Sequence, residues 1–114
     1  MSAPLPDPEA GMELTPSRVA ELLPAVTSGA IELIDCREED EWRFNRIEGA
    51  RLVPLSRFAE ASVPAKPVIL YCHHGMRSLR AANYWRSRGA DEVWSMAGGI
   101  DRWSAEIDPS VPVY

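Results

Sequence analysis

Cys72 opens the run Cys72-His73-His74-Gly75-Met76-Arg77-Ser78, a stretch whose residue types can do chemistry. A cysteine, a turn-forming glycine and an arginine, in that order and feeding a helix start, build a nest for an anion. Backbone N–H groups freed by the turn, the partial positive charge of the helix end and the Arg77 guanidinium all favour a thiolate at Cys72. A cysteine so placed titrates between about 3.5 and 7.5 instead of near 8.5. Each unit of depression stabilises the thiolate by about 1.4 kcal/mol. The same donors can hold a bound oxyanion, so nucleophile and recognition come from one piece of backbone. Arg77 sits where a cation opposes the helix dipole unless an anion compensates, which argues for a functional role.

Other residues of the run carry weaker signals. His73 and His74 read as cradle walls supplying shape and backbone N–H groups, and their near-neutral titration keeps an acid–base role open. Cys72, His73 and His74 are adjacent and cannot easily converge on one tetrahedral ion, so no metal and no cofactor are expected. A bland alternative for Cys72 is an inert core thiol, since free cysteines are among the most buried residues. The glycine, arginine and helix start at nest spacing favour the nucleophile. Cys36, in Asp35-Cys36-Arg37, reads first as structural; it also lies at a strand end, where it could resolve a persulfide on Cys72 into a disulfide.

Positioning these loops falls to alternating strands and helices. Residues 68–71, Val-Ile-Leu-Tyr, form a near-continuous apolar run expected of a central parallel strand covered on both faces. Residues 31–34 form a second buried strand, residues 50–53 a third stopped by Pro54, residues 93–96 a last one, and Glu13-Leu14 a short edge strand. Thr15 is an N-cap followed by Pro16, and Val19, Leu22 and Leu23 give an amphipathic helix ending between Pro24 and Gly29. Further helices are expected over residues 39–45, carrying Trp42, over residues 78–88, capped by Gly89, and over residues 101–105 after the Gly98-Gly99 turn. Pro64 and Pro67 bracket a linker. Trp42, Trp85, Trp94 and Trp103 read as core and boundary packing. Strands alternating with helices predict an α/β fold, an open and mostly parallel sheet flanked by helices. In such sheets ligands bind beyond the carboxyl ends of the strands, which selects the Cys72 and Asp35-Cys36-Arg37 loops.

Composition sets the limits. With 114 residues, 46% hydrophobic and 25% charged, the chain suits one globular domain with one core. Residues 1–12, rich in proline, read as a mobile extension before a domain over residues 13–114. Twelve basic against seventeen acidic residues give a net charge of -5, which removes support for nucleic-acid or membrane partners. Two distant cysteines suggest no disulfide framework, the N-terminus resembles no signal peptide, and a cytoplasmic location is expected.

Four motifs together resemble the single-domain rhodanese-like sulfurtransferases: CHHGMRS after an apolar strand, IDCRE, EW followed by RIEGARLVPL, and AGGIDRW. The resemblance runs from Leu14 to about Pro112. It implies a rhodanese-like fold and a sulfane-sulfur carrier, in which the Cys72 thiolate attacks a donor such as thiosulfate, holds a persulfide and passes it to a thiol, cyanide or protein acceptor. It implies Cys72 as nucleophile, His73, His74, Gly75, Met76 and Arg77 as the substrate cradle, and Asp35 and Arg37 as a structural pair bracing the loops. One departure is Arg46, where the family often has a histidine before the I-x-G-A turn. A related fold also serves phosphatases and arsenate reductases, which use C-x5-R; the spacing here is C-x4-R, and the shorter loop favours attack on sulfur. A non-catalytic binding module is a further alternative, opposed by the presence of both Cys72 and Arg77. The lone domain and Pro-rich N-terminus leave open a fused or docked partner in sulfur-carrier pathways.

Overall fold

A computed structural model describes residues 4–114. Five strands, β1 (Glu13–Leu14), β2 (Glu32–Asp35), β3 (Arg51–Leu52), β4 (Val68–Tyr71) and β5 (Val93–Met96), form one sheet in the order β1-β5-β4-β2-β3. Every pairing is parallel. The helices are α1 (Pro16–Ser28), α2 (Glu39–Phe44), α3 (Met76–Ser87) and α4 (Gly99–Glu106). The expected open parallel α/β sheet is therefore present.

The central strand β4 is buried along its whole length, and its side chains alternate between two cores. Ile69 and Tyr71 join Leu33, Trp94, Met96 and the apolar faces of α1 and α4. Val68 and Leu70 join Ile34, Val93, Phe58 and the α3 residues Ala81, Ala82 and Trp85 on the other side. Burying an apolar side chain of this size stabilises by about 1.5–3 kcal/mol, so the doubly covered strand is the firmest platform in the sheet. Cys36 and Cys72 both fall in the α3-side core.

Local chemistry explains most element ends. Thr15 caps α1 by accepting from the Arg18 N–H, and Gly29 closes it with φ +86°. The helix runs through Pro24 and ends at Ser28, inside the expected range. Two departures from expectation matter. α3 begins at Met76, two residues before the sequence suggests, because the turn at Gly75 takes a left-handed φ of +103° that launches the helix at once. Residues Leu55–Glu60 form a 3-10 helix that the sequence pattern does not announce; it inserts Phe58 against Trp85, ring centroids 4.2 Å apart.

The N-terminal segment expected to be mobile makes definite contacts from Pro4 onward. Arg86 donates to the Pro8 and Gly11 carbonyls at 3.0 and 3.1 Å, and Arg18 donates to the Pro4 carbonyl at 2.6 Å. No helix among the described residues is long and apolar enough to cross a membrane.

The start of α4 clamps the loop after β4. Ile100 N–H donates to the Cys72 carbonyl at 2.8 Å and Asp101 N–H to the His73 carbonyl at 3.1 Å. Gly99 permits that approach: it has φ +61°, and a Cβ there would collide with the Cys72 and His73 carbonyl oxygens. Gly29 shares the positive φ but has open space around it. Gly99→Ala and Gly29→Ala should thus carry the same kind of backbone strain, about 1–3 kcal/mol. Only Gly99→Ala should add the clash and lose clearly more stability in urea unfolding; equal losses would show that α4 does not press on the loop.

Candidate active site

Cys72 stands one residue past the end of β4, and its sulfur serves as the acceptor that caps α3. Gly75 N–H donates to Sγ at 3.1 Å and Ser78 N–H at 3.3 Å, while the Ser78 hydroxyl lies 3.5 Å away. Gly75, the N-cap position, has no side chain to accept these donors, so the sulfur takes the place of the usual capping oxygen. Gly75 also lies tightly against Gly98, whose backbone nitrogen would be 3.1 Å from a Cβ there.

The Cys72 thiol is held down to about 5. The neighbouring Cys36 thiol, hydrogen-bonding to it, is the largest cause; burial opposes, and the Ser78 hydroxyl, Ser78 N–H and Gly75 N–H add to the depression. Cys36, conversely, is pushed far up by that same hydrogen bond and by its burial, so one proton stays on Cys36 while Cys72 is charged. Hydrogen bonds to a charged group contribute about 1.5–3 kcal/mol each. Several such donors therefore outweigh the cost of a buried thiolate, which leaves the Cys72 sulfur charged at neutral pH.

Arg77 is placed differently from the simplest sequence expectation. Both of its Nη atoms donate to Glu41 of α2, at 2.7 and 2.9 Å. The anion that reconciles a cation with the start of α3 is the chain's own Glu41. Glu41 is held near 2, by Arg77 foremost, against burial, and with help from Tyr114. Met76 projects outward, 69% exposed, at the rim of the cradle.

His73 is sandwiched between His74 and Tyr114, with ring centroids at 3.8 and 3.9 Å. His74 is exposed, its Nε2 3.8 Å from Asp101. One donor atom each from His73, His74 and Asp101 lie within 4.8 Å of one another, and the buried His73 Nε2 has no partner.

Asp35 and Arg37 form a fully buried ion pair, Nη2 to Oδ2 at 2.7 Å. Arg37 also donates to the Asn45 side chain at 2.6 Å, the Asn45 carbonyl at 2.8 Å and the Tyr114 hydroxyl at 2.9 Å. Tyr114 in turn donates to Glu41 at 2.5 Å, so the β2 loop, α2, the C-terminal segment and the cradle share one polar network. At the Arg46 departure, the guanidinium lies over the Trp42 ring at 4.4 Å. The following turn is held by Ile47 N–H donating to the Tyr71 hydroxyl at 3.2 Å and by Ala50 N–H donating to the Ile47 carbonyl.

A family model for the rhodanese-like domain matches residues 18–106, nearly the whole α/β unit just described. The chain belongs to the rhodanese-like domain family. It is 39% identical over 79 residues to the uncharacterized protein YqhL of Bacillus subtilis, covering 67% of this chain and 63% of that one. It is 32% identical over 78 residues to the thiosulfate sulfurtransferase GlpE of Coxiella burnetii, covering 66% of this chain and 73% of that one. Human single-domain sulfurtransferase TSTD1 shares the fold, with a TM-score of 0.70 at 21% identity over 84% of this chain and 97% of that one. Family membership supports a function of the sulfurtransferase type.

Within this rhodanese-like domain the loop residues anticipated from sequence do gather at the carboxyl end of the sheet. Sequence reasoning misses three roles that the structure adds: Ser78 on the sulfur, Glu41 on Arg77, and Tyr114 over His73. Glu41 has a readable trace, since Glu38 and Glu41 form a capping box at the start of α2. Tyr114 has none, being 73 residues from Glu41.

The thiolate of a depressed group is present above its folded pKa and lost as pH falls through it. Ultraviolet thiolate absorbance, taken as the difference between the protein and its Cys72→Ser variant, should therefore titrate near 5. Ser78→Ala should move the midpoint upward, because it removes one stabilising donor. A midpoint near the free-cysteine value of about 8.5 would show that the cradle does not charge the sulfur.

Proposed function

We propose that this protein is a thiosulfate-type sulfurtransferase that carries sulfane sulfur as a persulfide on Cys72. The observation that carries this is the buried Cys72 sulfur capping α3, a nucleophile already charged and ringed by fixed N–H donors. In the first step the Cys72 thiolate attacks the outer sulfur of thiosulfate. A new S–S bond forms, the S–S bond of thiosulfate breaks, and sulfite leaves with the electron pair. In the second step a nucleophilic acceptor, a thiol, cyanide or protein thiolate, attacks the outer sulfur of the persulfide and Cys72 returns as the thiolate. No electrons are lost overall, so the cycle needs neither metal nor redox cofactor.

Backbone donors of the cradle stabilise whichever sulfur carries the charge, a contribution that costs no reorganisation during reaction. His73, His74, Gly75, Met76 and Arg77 form its wall and rim, and Asp35 and Arg37 hold the neighbouring loop in register. The catalytic unit spans residues 13–114, with residues 1–12 as an appended segment. Sulfur-carrier proteins, cyanide or small thiols are the acceptors that fit such a site.

The C-x4-R loop distinguishes this reading from a phosphatase. A shorter loop offers fewer converging N–H groups to wrap a phosphoryl group. Incubation with thiosulfate should add the mass of one sulfur atom, lost again on addition of cyanide. Cys72→Ser should abolish thiosulfate-to-cyanide transfer, and activity should fall as pH drops below about 5. Efficient hydrolysis of p-nitrophenyl phosphate without any gain of sulfur mass would establish the phosphatase alternative.

A further inference from the structure

The two cysteines of the chain end adjacent strands side by side. β2 and β4 pair in parallel with Asp35 opposite Tyr71, and Cys36 and Cys72 each follow by one residue. Cys36 N–H donates to the Tyr71 carbonyl at 3.0 Å, so the ladder continues through Cys36. Neighbouring strands lie about 4.8 Å apart, inside the Cα separation of about 4.4–6.8 Å that a disulfide spans. Both side chains point into the same α3-side core, at 0% and 1% exposure.

We propose that Cys36 is a resolving thiol for Cys72, and that hydroperoxides convert the pair into a reversible Cys36–Cys72 disulfide. The Cys72 thiolate attacks one oxygen of the peroxide. Its O–O bond breaks, hydroxide (or alkoxide) leaves, and Cys72 becomes a sulfenic acid. Cys36 sulfur then attacks Cys72 sulfur: the S–S bond forms, the S–O bond breaks, and the hydroxyl leaves as water with the Cys36 proton. Two cysteines lose two electrons and the peroxide gains them. An external dithiol reverses the step by thiol–disulfide exchange.

Burial makes the intramolecular partner decisive. A thiol from solution must diffuse in to reach a sulfur that is 1% exposed, whereas Cys36 stands beside it. Cys36 is already in place, and a held nucleophile gains enormously over one that must diffuse in. The pairing also times itself. While Cys72 is anionic, its charge and hydrogen bond keep Cys36 protonated and inert. Sulfenic acid formation removes that charge and frees Cys36 to attack. Without Cys36, the sulfenic acid would proceed to sulfinic and sulfonic acids, which thiols do not restore. This site operates whether or not thiosulfate is the donor, so its test is independent of the sulfurtransferase assay.

Reduced protein treated with a slight excess of hydrogen peroxide should lose the mass of two hydrogens. Peptide mapping should join the Cys36 and Cys72 peptides, and dithiothreitol should return the original mass. Cys36→Ser and Cys36→Ala, each checked for a native circular dichroism spectrum, should instead gain oxygen atoms on Cys72 that dithiothreitol does not remove. Oxygen addition to wild-type Cys72 without a cross-link, or a disulfide joining two chains, would overturn the proposal. Because the cross-link is read on the unmutated protein, it can be judged even where a Cys36 variant fails to fold.

Discussion

One sulfur atom closes the start of α3, and much of the site's design follows from that. A helix of twelve residues leaves its first N–H groups without internal partners, and something must accept them. Serine, threonine or aspartate does so in most helices, but here the N-cap is a glycine, held left-handed against the Gly98 backbone. Cys72, three residues earlier, reaches back and accepts from Gly75 and Ser78. Folding the turn and ionising the cysteine are thus one interaction: each donor that orders the loop also favours the charged sulfur.

That interaction needs a rigid frame, which two independent clamps provide. On one side the α4 N-terminus donates to the Cys72 and His73 carbonyls, turning the loop's acceptors outward from the sulfur. On the other, Arg37 spends its guanidinium on Asp35, Asn45 and Tyr114. A fully buried ion pair gains little net stability over an apolar pair, but removing one member costs about 3–5 kcal/mol because the other charge is stranded. The pair is therefore better understood as a register pin than as a source of stability. It fixes the end of β2, and with it Cys36, beside the end of β4.

Much of this was legible in the sequence because it was local. The apolar run Val68–Tyr71, the Thr15-Pro16 start and the Val93–Met96 strand all carry their signals within a few residues, and the strand–loop–helix placement of Cys72 follows from them. Less legible were features built by contacts across the chain. The 3-10 helix Leu55–Glu60 forms because Phe58 finds Trp85, a partner distant in sequence. Glu41 meets Arg77 only once α2 packs beside the cradle, and Tyr114 arrives from the far end of the chain. The start of α3 is misjudged by two residues because propensity weighs Ser78 and its successors, whereas Gly75 φ and the sulfur cap decide where the helix begins.

Charge balance sharpens what the cradle can hold. Were Arg77 unopposed, a full positive charge at its mouth would suit a dianionic phosphoryl group. Glu41 takes that charge through two short hydrogen bonds and is itself held near 2, so it stays ionised across any ordinary pH. What remains for a ligand is the backbone: N–H dipoles and the helix end, equivalent to about half a unit charge. A field of that strength matches the single negative charge that rests on the Cys72 sulfur, first as thiolate and then as persulfide. Because the donors belong to the main chain and to Ser78, they do not titrate. The tunable element is then Cys36, whose thiol is the largest cause of the lowered Cys72 pKa, so the second cysteine shapes the first without touching the substrate.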